Sequence, residues 1–256
     1  MINVATFSFF PAWTYFYTHK IVERIEEGDY GMSTFFIPVF SVLMIVFFNI
    51  MQIKDHPNKI LRSICLILFM FTGLRYIALI VFTLSANIDI LKVFSYFYYA
   101  SSIGITIPSL FALWYIIPRF RERIKEWIVL LLVSPFIFFY FNLIYLQPVQ
   151  IIKHGSLGYR LQLMAPWNQW LSIFQGIFTL MVFGMCFYGF RRYQYKFPRS
   201  QYLLFILGYT LTTIDGLCML FKAVYPIEPF VFSEAFILIA ILYAFAAKPI
   251  KEKYKH

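Results

Sequence analysis

Seven long apolar runs constrain the fold of this chain more than any other feature of its sequence. A helix rises about 1.5 Å per residue, so crossing a bilayer takes roughly 20 apolar residues. The runs that meet this length cover residues 32–53, 64–86, 90–117, 127–146, 170–190, 202–225 and 231–247. The sequence therefore predicts an all-α integral membrane protein whose residues 32–247 form a bundle of seven transmembrane helices.

Composition supports a membrane protein and argues against a nucleic-acid partner. Hydrophobic residues make up 61% of the chain and charged residues only 13%, whereas about a quarter of the residues in soluble domains are charged. The net charge of +10 resides in short connections between apolar runs and not on a basic face of a soluble domain. The lipid bilayer is therefore the expected partner, and nucleic acid is not.

The distribution of Lys and Arg predicts the orientation of the bundle. Fifteen of the 22 lie in the connections after the first, third and fifth runs and in the tail, six lie on the opposite side, and Arg75 lies inside a run. Cytoplasmic connections carry the excess of Lys and Arg. We therefore expect the N-terminus outside and the C-terminus in the cytoplasm, which agrees with an odd number of spans.

Three segments flank or interrupt the predicted bundle. Residues 1–31 are aromatic and then acidic, and their apolar part is too short to span, so we expect an extracytoplasmic interfacial segment, with an eighth span as the alternative. Residues 248–256 form a short basic cytoplasmic tail. In the outer connection 147–169, VQIIK and YRLQL flank the turn-like HGSLG, which predicts a β-hairpin lid over the outer mouth.

A carboxylate inside the sixth run is the main clue to function. Asp215 lies in an otherwise apolar segment, where an unpaired charge costs a few kcal/mol or more. Counting from the outer ends places Arg75 and Asp215 at a similar depth, about 14 Å below the surface. We therefore expect a buried ion pair between them, which either locks two helices together or lines an outward-facing pocket.

The remaining polar residues of the outer half are candidate ligand contacts, because the inner half of the bundle is almost wholly apolar. Ser101 and Asn142 also fall at this level, and Glu234 is shallow enough for simple solvation to be its alternative role. The tyrosines have the alternative of core or belt aromatics. The predicted ligand-binding set is Arg75, Tyr98, Tyr99, Ser102, Gln175, Thr212, Asp215 and Glu234.

No catalytic or cofactor motif is present in the sequence. It contains no HExxH, GxxxxGK[ST] or GxSxG pattern, which leaves metalloprotease, nucleotide-hydrolase and serine-hydrolase chemistry without a basis. The three cysteines lie within apolar runs without zinc spacing. The seventh run has no central lysine to carry retinal. We therefore expect no enzymatic activity, no metal and no cofactor.

The order of features resembles the N-terminal seven-helix sensor region of bacterial histidine kinases. The resemblance covers roughly residues 61–249 and rests on three stretches: LSANIDILKVFSYFYYASSIGITIPSLFALWYI, YKFPRSQYLLFILGYTLTTIDGLCML and VFSEAFILIAILYAFAAKP. It implies a multi-pass protein of the bacterial cytoplasmic membrane that takes part in signal transduction. Members of that family continue into a kinase module, which this sequence lacks. We therefore expect either output through a separate partner protein or a chain cut from a longer protein.

The leading hypothesis is a sensor that binds a small or lipophilic ligand in its outer half and signals through a membrane or cytoplasmic partner. A small transporter or permease is one alternative, although the sequence shows no internal repeat and no polar path through both halves. The other alternative is a non-sensing accessory or assembly protein, in which the ion pair only holds two helices together.

Overall fold

A computed structural model describes residues 32–153, 158–193, 196–220 and 230–246. The predicted N-terminal segment 1–31, the tail 248–256 and the hairpin tip at 154–157 lie outside the described residues. The helices are α1 (Met32–Ile53), α2 (Lys59–Leu84), α3 (Ile88–Tyr98), α4 (Ala100–Ile116), α5 (Pro118–Arg123), α6 (Glu126–Leu146), α7 (Trp167–Arg192), α8 (Lys196–Leu220) and α9 (Val231–Ala246). The strands are β1 (Val149–Lys153) and β2 (Tyr159–Leu163).

The long helices match the predicted runs closely. Five helical stretches among the described residues are long and apolar enough to cross a membrane, and α9 is a shorter apolar helix. They are Phe35–Ile53, Lys59–Leu84, Ile88–Ile116, Glu126–Leu146 and Trp167–Arg192. These helices indicate a multi-pass helical membrane protein.

The third predicted run is not one continuous helix. It is divided at Tyr99, which has φ −97° and ψ 7° and is at once the C-cap of α3 and the N-cap of α4. Pro108 is accommodated inside α4 without ending it. The sequence did not reveal this division, because no Gly or Pro marks residue 99.

α4 lies at the centre of the bundle. Almost every residue from Gly104 to Ile116 is buried, which is the pattern of a helix surrounded on all sides. Around it the other long helices form a closed ring, in which α1 packs on α2, α2 on α3, α3 on α6, α7 on α8, α8 on α9 and α9 on α1. The ring is completed between α6 and α7 by aromatic contacts, including Phe139 stacked on Phe174 at 4.1 Å.

Two glycines allow close helix approach at the centre of this ring. A Cβ on Gly104 of α4 would lie 2.7 Å from the carbonyl oxygen of Leu68 in α2. A Cβ on Gly208 of α8 would lie 2.8 Å from Ile237 Cγ1 in α9. Small residues at such crossings bring backbones together in membrane helices, so α2 meets α4 and α8 meets α9 closely.

The outward faces of the ring are strongly apolar. Phe138 and Tyr145 are each 72% exposed and Leu180 is 71% exposed. Large apolar side chains in such numbers on a surface are typical of a lipid-facing protein. The described part of the bundle therefore has a packed interior and an apolar exterior, as a membrane protein requires.

The predicted hairpin is confirmed. β1 and β2 pair antiparallel, with Val149 opposite Leu163 and Lys153 opposite Tyr159. Leu161 is only 2% exposed, and β2 packs on α2. Gly158 has φ +81°, and a Cβ there would lie 2.6 Å from the carbonyl oxygen of Phe82. The hairpin therefore lies against the end of α2 rather than projecting away from the bundle.

Candidate functional site

A buried polar cluster forms around Arg75 of α2. Its Nη1 makes a salt bridge with Glu234 Oε1 of α9 and donates a hydrogen bond of 2.6 Å to Ser101 Oγ of α4. Ser101 in turn donates to Glu234 Oε1 at 3.0 Å, and Tyr76 OH donates to Glu234 Oε2 at 2.6 Å. Both carboxylate oxygens are thus engaged, which offsets the cost of removing the charges from water.

The division of the third run contributes to this cluster. Ser101 lies in the first turn of α4, where backbone N–H groups have no partner inside the helix and the helix dipole is positive. The Glu234 carboxylate, bonded to Ser101 Oγ, therefore lies at an electrostatically favourable helix end. The irregular backbone at Tyr99 is what brings that helix end into the interior of the bundle.

Asp215 lies beside this cluster. It is 7% exposed, and its Oδ2 accepts a hydrogen bond of 2.6 Å from Ser233 Oγ. Ser233 immediately precedes Glu234 on α9, so the same turn of that helix carries Glu234 and the serine that donates to Asp215. Their similar depth predicted an ion pair between Arg75 and Asp215. In the structure, Arg75 forms a salt bridge with Glu234. Glu234 lies in the first turn of α9. Counting from the outer end of that helix therefore placed it nearer the surface than Arg75, which favoured Asp215 as the partner of Arg75.

Next to the cluster is a cavity with room for a small molecule. About 80 Å³ is available to the centre of a water-sized molecule, and one water needs roughly 10–15 Å³ by this measure. The lining residues come from every long helix except α1 and from β2 of the hairpin. They are Arg75, Tyr98, Tyr99, Ser101, Ser102, Ile105, Thr106, Tyr140, Arg160, Leu161, Leu171, Gln175, Phe178, Thr179, Tyr209, Thr212, Phe230, Glu234 and Ile237.

Seven of the eight predicted ligand-binding residues line this one cavity. The seven are Arg75, Tyr98, Tyr99, Ser102, Gln175, Thr212 and Glu234. Asp215 is not part of the lining and instead contacts Ser233 behind it. Asn142, also placed at this level by the sequence, donates to the carbonyl of Phe138 and is outside the lining.

Several residues of the site were not anticipated from the sequence. Tyr76 directly follows Arg75, and Ser233 directly precedes Glu234, so proximity in the chain to an intramembrane charge was a usable signal for both. Tyr140 and Tyr209 read as ordinary core aromatics. Arg160 was counted only as a loop charge, and pairing of the hairpin against α2 is what brings it to the cavity.

The lining of the cavity combines charged, polar and apolar side chains. One wall carries the compensated charges of Arg75 and Glu234, and Arg160 adds a second basic side chain. The rest combines tyrosine, hydroxyl and amide groups with the apolar side chains of Ile105, Leu161, Leu171, Phe178, Phe230 and Ile237. Among the described residues, no group of three or more His, Cys, Asp or Glu side chains comes together to hold a metal ion. Apolar walls with a few convergent polar groups are typical of small-molecule sites.

The fold defines the class of the protein as a multi-pass helical membrane protein, with a cavity beside a buried polar cluster. A scan against known protein families, a search of curated proteins and a search of solved structures each found no match. The resemblance to the sensor region of histidine kinases therefore stays a prediction.

Proposed function

We propose that this chain is a seven-helix sensor of the bacterial cytoplasmic membrane, with its N-terminus outside and its C-terminus inside. It binds a small or lipophilic ligand in the cavity beside Arg75 and Glu234 and signals through a partner protein. The observation that carries the proposal is that residues selected for intramembrane polarity converge on one enclosed cavity. The hairpin residues Arg160 and Leu161 border the cavity, so the hairpin serves as its lid.

A route for the signal is supported by the way α9 is held. Near its start, Glu234 and Ile237 line the cavity. Farther along, the Leu238 carbonyl accepts a hydrogen bond of 3.0 Å from Asn49, and the Tyr243 carbonyl accepts one of 3.0 Å from Gln201. At the far end, the ring of Phe245 contacts His56 in the connection between α1 and α2.

This arrangement makes α9 the element that a ligand would move. A rigid helix carries a displacement at one end to the other, and a ligand shifts such an equilibrium only through different contacts in its two states. Contact with Glu234 or Ile237 would change the position of Phe245 about 12–16 Å away along the helix axis. A partner at that end of the bundle would then read the change.

The proposal is tested by identifying the small molecules that stay bound to the purified protein. Thr212 lines the cavity, and Thr212→Phe would fill it. Leu217 lies on the same helix and is 48% exposed, so Leu217→Phe is the matched control. Mass spectrometry of extracts should find a small molecule enriched with wild type and Leu217→Phe but absent with Thr212→Phe. Identical extracts from all three proteins, at equal folding, would contradict ligand binding in this cavity.

A transporter is the second candidate, and the division at Tyr99 is the observation that favours it. Discontinuous helices border the substrate sites of many transporters, and Tyr98 and Tyr99 both line the cavity. Below the cavity, however, α4 offers mostly buried apolar side chains from Leu110 to Ile116. Uptake into proteoliposomes that Thr212→Phe abolishes would favour this function over sensing.

The third possibility is an accessory protein in which the polar cluster only joins helices. It predicts that the exchange Arg75→Glu with Glu234→Arg restores both folding and cellular function. A sensor whose cavity reads ligand charge should recover folding without function. Membrane abundance and a cellular phenotype, measured on the same strains, separate the two.

A further inference from the structure

A second cavity lies at the opposite end of the bundle. It is enclosed by the connection between α1 and α2 and by the segment that runs from the end of α4 through α5 to the start of α6. About 380 Å³ is available there to the centre of a water-sized molecule. By the charge count this end faces the cytoplasm. None of the residues proposed to bind the ligand of the sensor lies in it.

The walls of this second cavity are aromatic and are fixed by hydrogen bonds. Trp114 donates its indole N–H to the Ile124 carbonyl at 2.9 Å. Arg121 donates to the Tyr115 carbonyl at 3.1 Å, and its guanidinium lies 5.7 Å from the centre of the Tyr115 ring. These contacts hold together the segment from the end of α4 to Ile124, and the ring of His56 in the other connection contacts the ring of Tyr115, with 5.0 Å between ring centres.

His56 is one of the lining residues of this cavity. It is 7% exposed, and its Nδ1 accepts a hydrogen bond of 3.2 Å from the backbone N–H of Asn58. The ring proton therefore lies on Nε2. Burial lowers the pKa of His56, so the ring is neutral near pH 7. Nε2 is buried and has no hydrogen-bond partner in the described part of the chain.

The charges around the second cavity favour an anion. Residues 54–62 and 117–126 together carry seven Lys and Arg side chains and three carboxylates. Arg121 and Lys125 line the cavity directly. Of the two lining carboxylates, Glu126 accepts a hydrogen bond of 2.5 Å from Asn58 Nδ2, and Glu122 is exposed, as Lys125 is.

We propose that this second cavity binds a phosphate group, carried by an anionic phospholipid or by a soluble phosphate ester. A phosphate offers several acceptor oxygens, so it can accept from the imidazole N–H of His56 and from Lys125 and Arg121 together. A phosphate oxygen next to the ring would accept a hydrogen bond from the Nε2–H of His56, which has no such partner among the described residues. Basic pockets between membrane helices on the cytoplasmic side are known to bind lipid head groups.

The test compares two pairs of substitutions that remove the same charge from the same segment. Arg121→Gln with Lys125→Gln alters the lining, whereas Arg119→Gln with Arg123→Gln leaves it intact. Native mass spectrometry would measure the affinity of the full-length protein for phosphatidylglycerol. We expect the lining pair to weaken binding about tenfold or more, and the control pair less than about twofold.

Competition with soluble glycerol phosphate separates the two sources of phosphate. Displacement of the lipid by millimolar glycerol phosphate would identify a soluble ester as a ligand, and persistence of the lipid would identify the head group. Lys125→Gln alone, which keeps the contact of Arg121 with Tyr115, should also weaken binding. Equal losses in the lining and control pairs, or no binding to wild type, would overturn the proposal.

Discussion

Arg75 of α2 and Glu234 of α9 form a salt bridge inside the bundle, 159 residues apart in the chain. Tyr76 and Ser101 hydrogen-bond to the same carboxylate. Three helices that are distant in sequence therefore meet at one acidic side chain. This relationship fixes the polar end of the cavity, and it makes Glu234 the residue whose loss has the broadest consequences.

Glu234→Gln should destabilise the protein strongly. The substitution removes the negative charge from the buried salt bridge with Arg75, and breaking a buried pair in this way costs about 3–5 kcal/mol. Denaturant unfolding in detergent micelles would measure the change. Asp89→Asn is the control, because Asp89 and Lys92 form an exposed pair at 3.9 Å that contributes little. A loss for Glu234→Gln no larger than that of the control would contradict the role of the cluster.

Gly104→Ala should also be destabilising, although alanine favours helices. The added Cβ would lie 2.7 Å from the Leu68 carbonyl oxygen, so α2 and α4 would have to separate, at a cost of about 1–3 kcal/mol. At Gly184 of α7 nothing lies within 4 Å of an added Cβ, so Gly184→Ala is the matched control. The thermal midpoints of the two variants should move in opposite directions or differ clearly. Equal midpoints would show that the crossing tolerates a methyl group.

The sequence predicted most of the fold because apolar length and turn composition are local signals. α1 begins and ends at the predicted residues, and both strands of the hairpin coincide with the segments VQIIK and YRLQL. The division at Tyr99 was not predictable, because it is imposed by packing around α4 and has no local marker. The candidate site was likewise predictable only in part. Polarity inside apolar runs singled out seven of the lining residues, whereas the salt bridge between Arg75 and Glu234 depends on how α2, α4 and α9 pack together, which a depth count cannot give.

Low pH should destabilise the wild type through His56. Burial lowers the pKa of this histidine below its usual 6.5, so the unfolded chain binds more protons than the folded one between these two values. The stabilising contribution is complete above pH 6.5 and is lost as the pH falls towards the folded-state pKa. Unfolding curves at several pH values should show this decline in wild type and a smaller one in His56→Phe. Parallel curves would contradict it.

The hairpin should control entry to the first cavity. Gly158 has φ +81° and contacts the end of α2, so Gly158→Ala should displace the hairpin. A cysteine placed at Gln175 in the lining should then react faster with a thiol reagent than it does under the native hairpin. Gly176→Ala, where an added Cβ meets open space, is the control background. Equal labelling rates with and without Gly158→Ala would show that the hairpin is not a lid.

The orientation of the bundle in the membrane can be tested by the same labelling of cysteines with thiol reagents. A membrane-impermeant thiol reagent applied to intact cells should label Arg160→Cys, which lies in the hairpin. Arg123→Cys, at the opposite end, should be labelled only after the cells are permeabilised. The reverse pattern would contradict the orientation predicted from the Lys and Arg count.

The central claim is that ligand occupancy of the cavity beside Arg75 and Glu234 drives a cellular signal. The most direct measurement is the transcript profile of a deletion strain complemented with wild type, Thr212→Phe or Leu217→Phe at equal membrane abundance. We predict that wild type and Leu217→Phe restore the profile and that Thr212→Phe leaves it as in the deletion strain. Full restoration by Thr212→Phe would contradict the account.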